Sequence, residues 1–217
     1  MYFVKTPKVI KQIFPSFKWD QPTEKREIFL TFDDGPIPEV TPWVLDQLDF
    51  YKAKATFFCV GDNVRKYPHI FEQVLDEGHQ IGNHTFNHLN GWQTSIEEYT
   101  ENIEKCANYV ESSLFRPPYG KISRRQSQLI ADHFTIVMWD VLSGDFDPNL
   151  SKIACLQNVL NHTSAGSIIV FHDNIKSFEK LKYVLPRVLK YYTELGYTFS
   201  KLEPSKVTQP NSVLIPA

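Results

Sequence analysis

Residues 28–36 read Ile-Phe-Leu-Thr-Phe-Asp-Asp-Gly-Pro. Five apolar or β-branched residues in a row, without polar alternation, predict a strand buried on both faces, and the Gly-Pro that follows forces the chain to turn. Two adjacent carboxylates, Asp33 and Asp34, are thereby delivered to the carboxyl end of a buried strand. The stretch 167–172, Ser-Ile-Ile-Val-Phe-His, repeats the plan and ends in an imidazole. Further short runs rich in β-branched and aromatic residues stand at 55–60, 79–82, 134–139 and 197–200. Segments of helical period alternate with them at 41–52, 68–77, 95–112, 123–132, 151–162 and 176–195. Several open on Ser or Thr, and Ser95-Ile-Glu-Glu98 spells a capping box. The alternation predicts an α/β architecture on a mostly parallel sheet, doubly wound or closed as a barrel, with function gathered at the carboxyl ends of the strands.

The 217 residues suffice for one well-filled domain, and 42% hydrophobic and 14% aromatic content can supply its core. Twenty-three basic against 25 acidic residues leave a net charge of -2, so no electrostatic excess points to nucleic acid or an anionic membrane. Cys59, Cys106 and Cys155 are widely spaced and odd in number, which fits structural thiols rather than a disulfide or CxxC metal scaffold. Lys5, Lys8, Lys11 and Lys18 interrupt the apolar N-terminal stretch, and no later run reaches the roughly 18 apolar residues of a membrane span. The expectation is a soluble protein without a transmembrane segment, cytoplasmic or already stripped of an export signal. Nothing in the sequence specifies an oligomeric state.

Several constellations carry chemistry. An isolated Asp-Asp-Gly is usually a plain turn. Here one carboxylate can bind a cation while its neighbour acts as a base. His84-Thr-Phe-Asn-His88 places two imidazoles four apart, a spacing that meets on one face if the segment makes a helical turn. Seven histidines in 217 residues would give roughly 0.2 such pairs by chance, so the pair needs support from elsewhere. The carboxylates supply it, because two His and one Asp with open positions form a catalytic rather than a structural metal set. In Arg116-Pro-Pro-Tyr-Gly120 the prolines stiffen the chain and make the Tyr119 N–H the next free donor. His172 ends one strand, and Asp140 and Asp145 lie in the cluster that follows another; an imidazole paired with a carboxylate suits general acid–base work.

Taken in order, TFDDGP (31–36), HTFNH (84–88), RPPYG (116–120), Asp145-Phe146 and VFH (170–172) resemble the motifs of the polysaccharide deacetylase family, the NodB homology type of carbohydrate esterase family 4. The resemblance implies a distorted (β/α) barrel of about seven units with an active-site groove at the carboxyl ends of mostly parallel strands. Its catalytic domain would span 27–203, between an N-terminal extension (1–26) and a C-terminal tail (204–217). It implies that Asp34, His84 and His88 hold one divalent metal, zinc by default with cobalt, nickel or manganese as substitutes. Asp33 would be the catalytic base, paired with Arg116. The Tyr119 N–H would meet the oxyanion. His172 would be the general acid, oriented by Asp145, while Pro117, Tyr119, Phe146 and Val170 would line the substrate site. Two positions depart from the family pattern, Leu142 where an Asp is usual and Phe146 where a Trp is usual, which bears on the acetyl pocket and its polar surroundings. The implied activity is metal-dependent removal of N-acetyl or O-acetyl groups from a carbohydrate such as an N-acetylglucosamine polymer or oligomer. The competing readings are an amidase acting on a small non-carbohydrate amide and a catalytically silent carbohydrate-binding protein.

Overall fold

The computed structural model describes residues 2–203; the tail read at 204–217 lies outside the described residues. Among the described residues eight strands pair in parallel. In chain order they are β1 (Glu27–Asp33), β2 (Ala55–Cys59), β3 (Gln80–Asn83), β4 (Leu114–Phe115), β5 (Thr135–Ile136), β6 (Val141–Leu142), β7 (Ile168–His172) and β8 (Thr198–Phe199). The sheet runs β5-β4-β3-β2-β1-β7-β6, with β8 on the first residues of β1, and it curls into a distorted barrel. The helices are α1 (Lys8–Ile13), α2 (Val40–Phe50), α3 (Gly61–Lys66), α4 (Pro68–Asp76), α5 (Ile96–Ala107), α6 (Arg124–Ile130), α7 (Lys152–His162) and α8 (Phe178–Glu194). Among the described residues no helix is long and apolar enough to cross a membrane.

Period-2 alternation along the buried strands divides the core in two. Ile28, Leu30 and Phe32 of β1 pack outward against the helices with Val44, Leu45, Leu181 and Val188. Phe29 of β1 turns inward, into a cluster with Phe58, Leu114, Val137, Ile168 and Leu202. Strand register aligns Phe32 with Phe57 and Phe171, and their rings stack at 5.1 and 5.9 Å. The same register sets Asp33 beside His172, so the aromatic row fixes the height at which the polar layer begins. All three cysteines are free and buried, and burial pushes the thiols of Cys106 and Cys155 up to about 12.

The outer strands depart from expectation. The run 134–139 does not make one strand: only Thr135–Ile136 pairs with β4, and the chain then crosses to β6 on the opposite edge. The N-terminal segment spans the gap. Lys18 N–H donates to Ile136 O and its carbonyl accepts from Met138 N–H, while Thr6 and Val4 make the equivalent bonds to Asp140 O and Leu142 N–H. Asp140, 3% exposed, anchors that segment by accepting from Lys5, Lys11 and Ser167. The capping box also differs. Ser95 Oγ accepts from Glu98 N–H at 3.2 Å, but the reciprocal box closes at Ser123 and Gln126.

Truncating Phe32 removes the centre of the stacked row, so Phe32→Ala is expected to cost about 3–5 kcal/mol of unfolding free energy. Urea unfolding checks it, and a loss under 1 kcal/mol would contradict the assigned register.

Candidate active site

β1 ends at Asp33, and Asp34 turns the chain with φ 85°, a left-handed conformation that Asp adopts more readily than most residues. The next residue must be glycine. A Cβ on Gly35 would lie 2.0 Å from the Asp173 carboxylate, whose oxygens accept from Gly35 N–H (3.0 Å) and Thr41 Oγ1 (2.6 Å). Burial raises the Asp173 carboxyl to about 8, with Asp34 nearby adding to the effect. Asp33 itself is buried and meets Arg116, whose Nη1 donates to Oδ1 at 2.6 Å.

The 84–88 segment brings its imidazoles together, but as a bend rather than a helical turn. Thr85 (φ 61°) and His88 (φ 57°) are left-handed, and side chains supply what helix bonds would have supplied. Asn83 Oδ1 accepts from Thr85 N–H, and Asn102 Oδ1, on α5, accepts from Phe86 and Asn87 N–H. The two rings lie 5.0 Å apart. Asp34 Oδ1 stands 3.6 Å from His84 Nε2 and 3.1 Å from His88 Nε2, and one ligand atom from each of the three residues falls within 4.8 Å of the others.

Proton bookkeeping shows why this cluster fits a cation. His84 Nδ1 lies 2.7 Å from Arg116 O, and a carbonyl only accepts, so Nδ1 carries the proton and Nε2 presents a lone pair. Burial lowers His84 to about 4, which keeps the ring neutral. Among the described residues Asp34 Oδ1 is buried without a hydrogen-bond partner, while Oδ2 is held by Asn174 Nδ2 at 2.6 Å. Burial opposes charge on Asp34, yet His88, His172 and His84 hold its carboxyl far below the usual range. His84 Nε2 and Asp34 Oδ1 therefore face one another as acceptors with His88 Nε2 beside them, a donor set that a divalent metal satisfies.

On the opposite side His172 Nδ1 lies 2.8 Å from Asp145 Oδ1, and the other carboxylate oxygen accepts from the His172 backbone N–H at 2.8 Å. Burial alone would favour the neutral ring, but Asp145 outweighs it, with help from Asp34 and Asp33, and His172 rises to about 9. Among the described residues the Tyr119 amide has no partner: in its loop the Gly120 and Lys121 amides close onto Pro117 and Pro118 carbonyls, and Tyr119 has φ 60°. The Tyr119 hydroxyl reaches His88 Nδ1 at 3.1 Å. Pro117 is buried beneath this loop, and Val170 is buried on the inward face one layer below His172.

The residues that the family resemblance assigns to the site thus lie in or directly below one layer at the carboxyl ends of the strands; Asp140 does not, because it precedes β6 and is taken up by Lys5, Lys11 and Ser167. Sequence reading missed the residues that hold this layer in place. Asn174 and Asn63 secure Asp34, by its Oδ2 and by its carbonyl (2.7 Å), and Thr31 Oγ1 accepts from Arg116 at 2.7 Å. Asn174 follows His172 by two residues in a polar tripeptide past a buried strand, which was the available signal.

Residues 20–134 match the family described as Polysaccharide deacetylase. A Bacillus cereus peptidoglycan-N-acetylglucosamine deacetylase is 35% identical over 191 residues, 83% of this chain and 88% of that protein. The chain belongs to the polysaccharide deacetylase family. A second such deacetylase from the same organism is 37% identical over 73% of this chain, which spans 60% of that longer relative. Among solved structures, a peptidoglycan N-acetylglucosamine deacetylase superposes with a TM-score of 0.78 at 32% identity, covering 91% of this chain and 95% of that one.

The two departures from the polysaccharide deacetylase pattern have different settings. Leu142 is buried in β6 against β7. Phe146 is 38% exposed and sets its ring 5.2 Å from the His172 imidazole, backed at 5.3 Å by Tyr2 from the N-terminal segment. An apolar edge replaces a group able to donate.

Because Asp145 is what raises His172, Asp145→Asn is expected to drop the His172 pKa below its ordinary value, where burial would leave it. NMR titration of the metal-free protein checks this. In the wild type, the stabilisation from this raised pKa is complete below the unfolded value near pH 6.5 and is lost as pH rises through about 9. An unchanged His172 titration in the variant would assign the shift elsewhere.

Proposed function

We propose that this chain hydrolyses acetyl groups from N-acetylglucosamine residues of a carbohydrate polymer or oligomer. The observation that carries the reading is the convergence of potential ligand atoms of Asp34, His84 and His88, flanked by an arginine-paired carboxylate and a carboxylate-paired imidazole. Membership of the polysaccharide deacetylase family supports it, as do relatives named for peptidoglycan N-acetylglucosamine and for chitooligosaccharide.

Asp34, His84 and His88 would hold a divalent cation, zinc by default for two imidazoles and one carboxylate, and it would polarise the acetyl carbonyl and acidify water. Asp33 takes the proton from the attacking water, and Arg116 fixes the carboxylate in place for that transfer. The Tyr119 N–H, stiffened by Pro117 and Pro118, donates to the oxygen on which negative charge develops, where loss of one donor costs about 3 kcal/mol of barrier. His172 is charged at neutral pH and gives its proton to the departing amine, while Asp145 orients the ring and sustains its charge. Phe146 walls the space beside His172, with Pro117 and Val170 supporting the pocket from below.

Acetate release from an N-acetylglucosamine oligomer is expected to stop with chelator and return with added divalent metal. His84→Ala or His88→Ala is expected to lose metal retention by calorimetry, and Asn174→Ala to weaken it roughly 10–100-fold. Undiminished binding in both histidine variants would overturn the ligand set. Asp33→Asn is expected to retain metal but to turn over about 10²–10⁴-fold more slowly, and near-normal turnover would remove Asp33 as the base.

A further inference from the structure

We propose that Trp92 is a stacking platform for a pyranose ring neighbouring the one that is deacetylated; this deepens, and rests on, the function proposed above. Trp is buried in most folds. Here the indole is 68% exposed. It is also held in place. Trp92 Nε1–H donates to Ile122 O at 3.2 Å, and the Lys121 ammonium stands 5.4 Å from the ring centroid, within cation–π range.

The loop beneath it is clamped as firmly. Gln126, 1% exposed, donates from Nε2 to Gly91 O (2.9 Å) and Thr94 O (3.3 Å), while Asn90 Oδ1 accepts from Trp92 N–H at 3.1 Å. A side chain kept rigid in water loses little freedom when a ligand arrives.

Position ties it to the active site. Trp92 stands four residues past His88, and the carbonyl that fixes its indole belongs to a residue three past Tyr119. Three residues span at most about 10 Å, so the indole is anchored close to the oxyanion donor. Tyr119, 61% exposed, lies on the same pair of loops and has its ring 4.7 Å from that of His88.

The chemistry of the rim selects the occupant. A protein partner needs a contiguous apolar patch. Trp92 is instead an aromatic plate with Lys121 over its ring and Asn90 and Gln93 in the same loop, side chains that can hydrogen-bond hydroxyl and acetamido groups. A pyranose offers the complement, with apolar C–H bonds on its face and polar groups around its edge. Neither the cation cluster nor the catalytic carboxylates require this indole.

The test compares wild type, Trp92→Ala and Trp92→Phe on the N-acetylglucosamine pentamer and on 4-nitrophenyl acetate. Trp92→Ala is expected to raise KM for the pentamer roughly three- to tenfold with kcat kept. Trp92→Phe should stay near wild type, ester hydrolysis should be unchanged in all three, and the unfolding midpoint of Trp92→Ala should not move. Pentamer titration of the wild type should change tryptophan fluorescence, and Trp92→Phe should lose that change. Equal pentamer KM in wild type and Trp92→Ala would overturn the platform. A wild type releasing no acetate from the pentamer would overturn the deacetylase reading instead, leaving the fluorescence titration to decide the platform alone.

Discussion

A guanidinium sealed from water organises the upper barrel. Arg116 has no exposed surface, and its N–H groups reach Val137 O (3.2 Å), Met138 O (2.9 Å), Thr31 Oγ1 (2.7 Å) and Asp33 Oδ1 (2.6 Å), with its plane 4.1 Å from the Phe58 ring. A buried charge is tolerable only when paired and fully hydrogen-bonded, and Arg can meet that demand because its donors form a rigid fork. The consequence is geometric. One side chain ties the inward face of β1 to the chain leaving β5, and its own carbonyl fixes the tautomer of His84. The proposed base and one candidate metal ligand are therefore positioned by the same residue.

Electrostatics divides the imidazoles of the site between opposite tasks. His84 is buried with a carbonyl on Nδ1, and burial keeps it neutral with Nε2 available. His172 is buried too, but a carboxylate occupies Nδ1, and the ring holds its proton to about 9. Burial alone would have made both neutral. The partner on Nδ1, a dipole in one case and a full charge in the other, separates the proposed ligand from the proposed acid, the pattern by which one site carries both functions near neutral pH.

What could be read in the sequence follows from how each part is stabilised. β1 and β7 were legible because burial on both faces demands long apolar runs, and Asp33, Asp34 and His172 were legible as their polar ends. The two-residue strands β4, β5 and β6 were not, since periodicity needs more residues than they contain; Pro117 and Pro118 stop β4 by removing donors, and 134–142 hides a crossing between opposite edges inside one apolar run. The N-terminal segment reads as an extension because its partners are distant in sequence: backbone bonds join it to the edge strands, and Lys5 and Lys11 meet Asp140, a pairing that no local pattern marks. The 84–88 bend escaped for a similar reason. Four-residue spacing is compatible with a helix, and only the distant Asn102 and the adjacent Asn83 make the alternative cheaper.

Strain completes the account of why the layer is stiff. Asp34, Thr85, His88 and Tyr119 all hold positive φ without being glycine, each at a cost of order 1–3 kcal/mol. For the β-branched Thr85 the conformation is a genuine outlier. Such residues persist only where their surroundings over-determine them, and here each has its own restraint: Asn63 and Asn174 on Asp34, Asn83 on Thr85, the Tyr119 hydroxyl on His88, and a proline-stiffened turn around Tyr119. Relaxing any one of them would swing a donor or an acceptor away from the cluster. The layer's precision therefore comes from the asparagines and prolines outside the reacting set, and the barrel core, with its stacked phenylalanines, supplies the stability against which that strain is held.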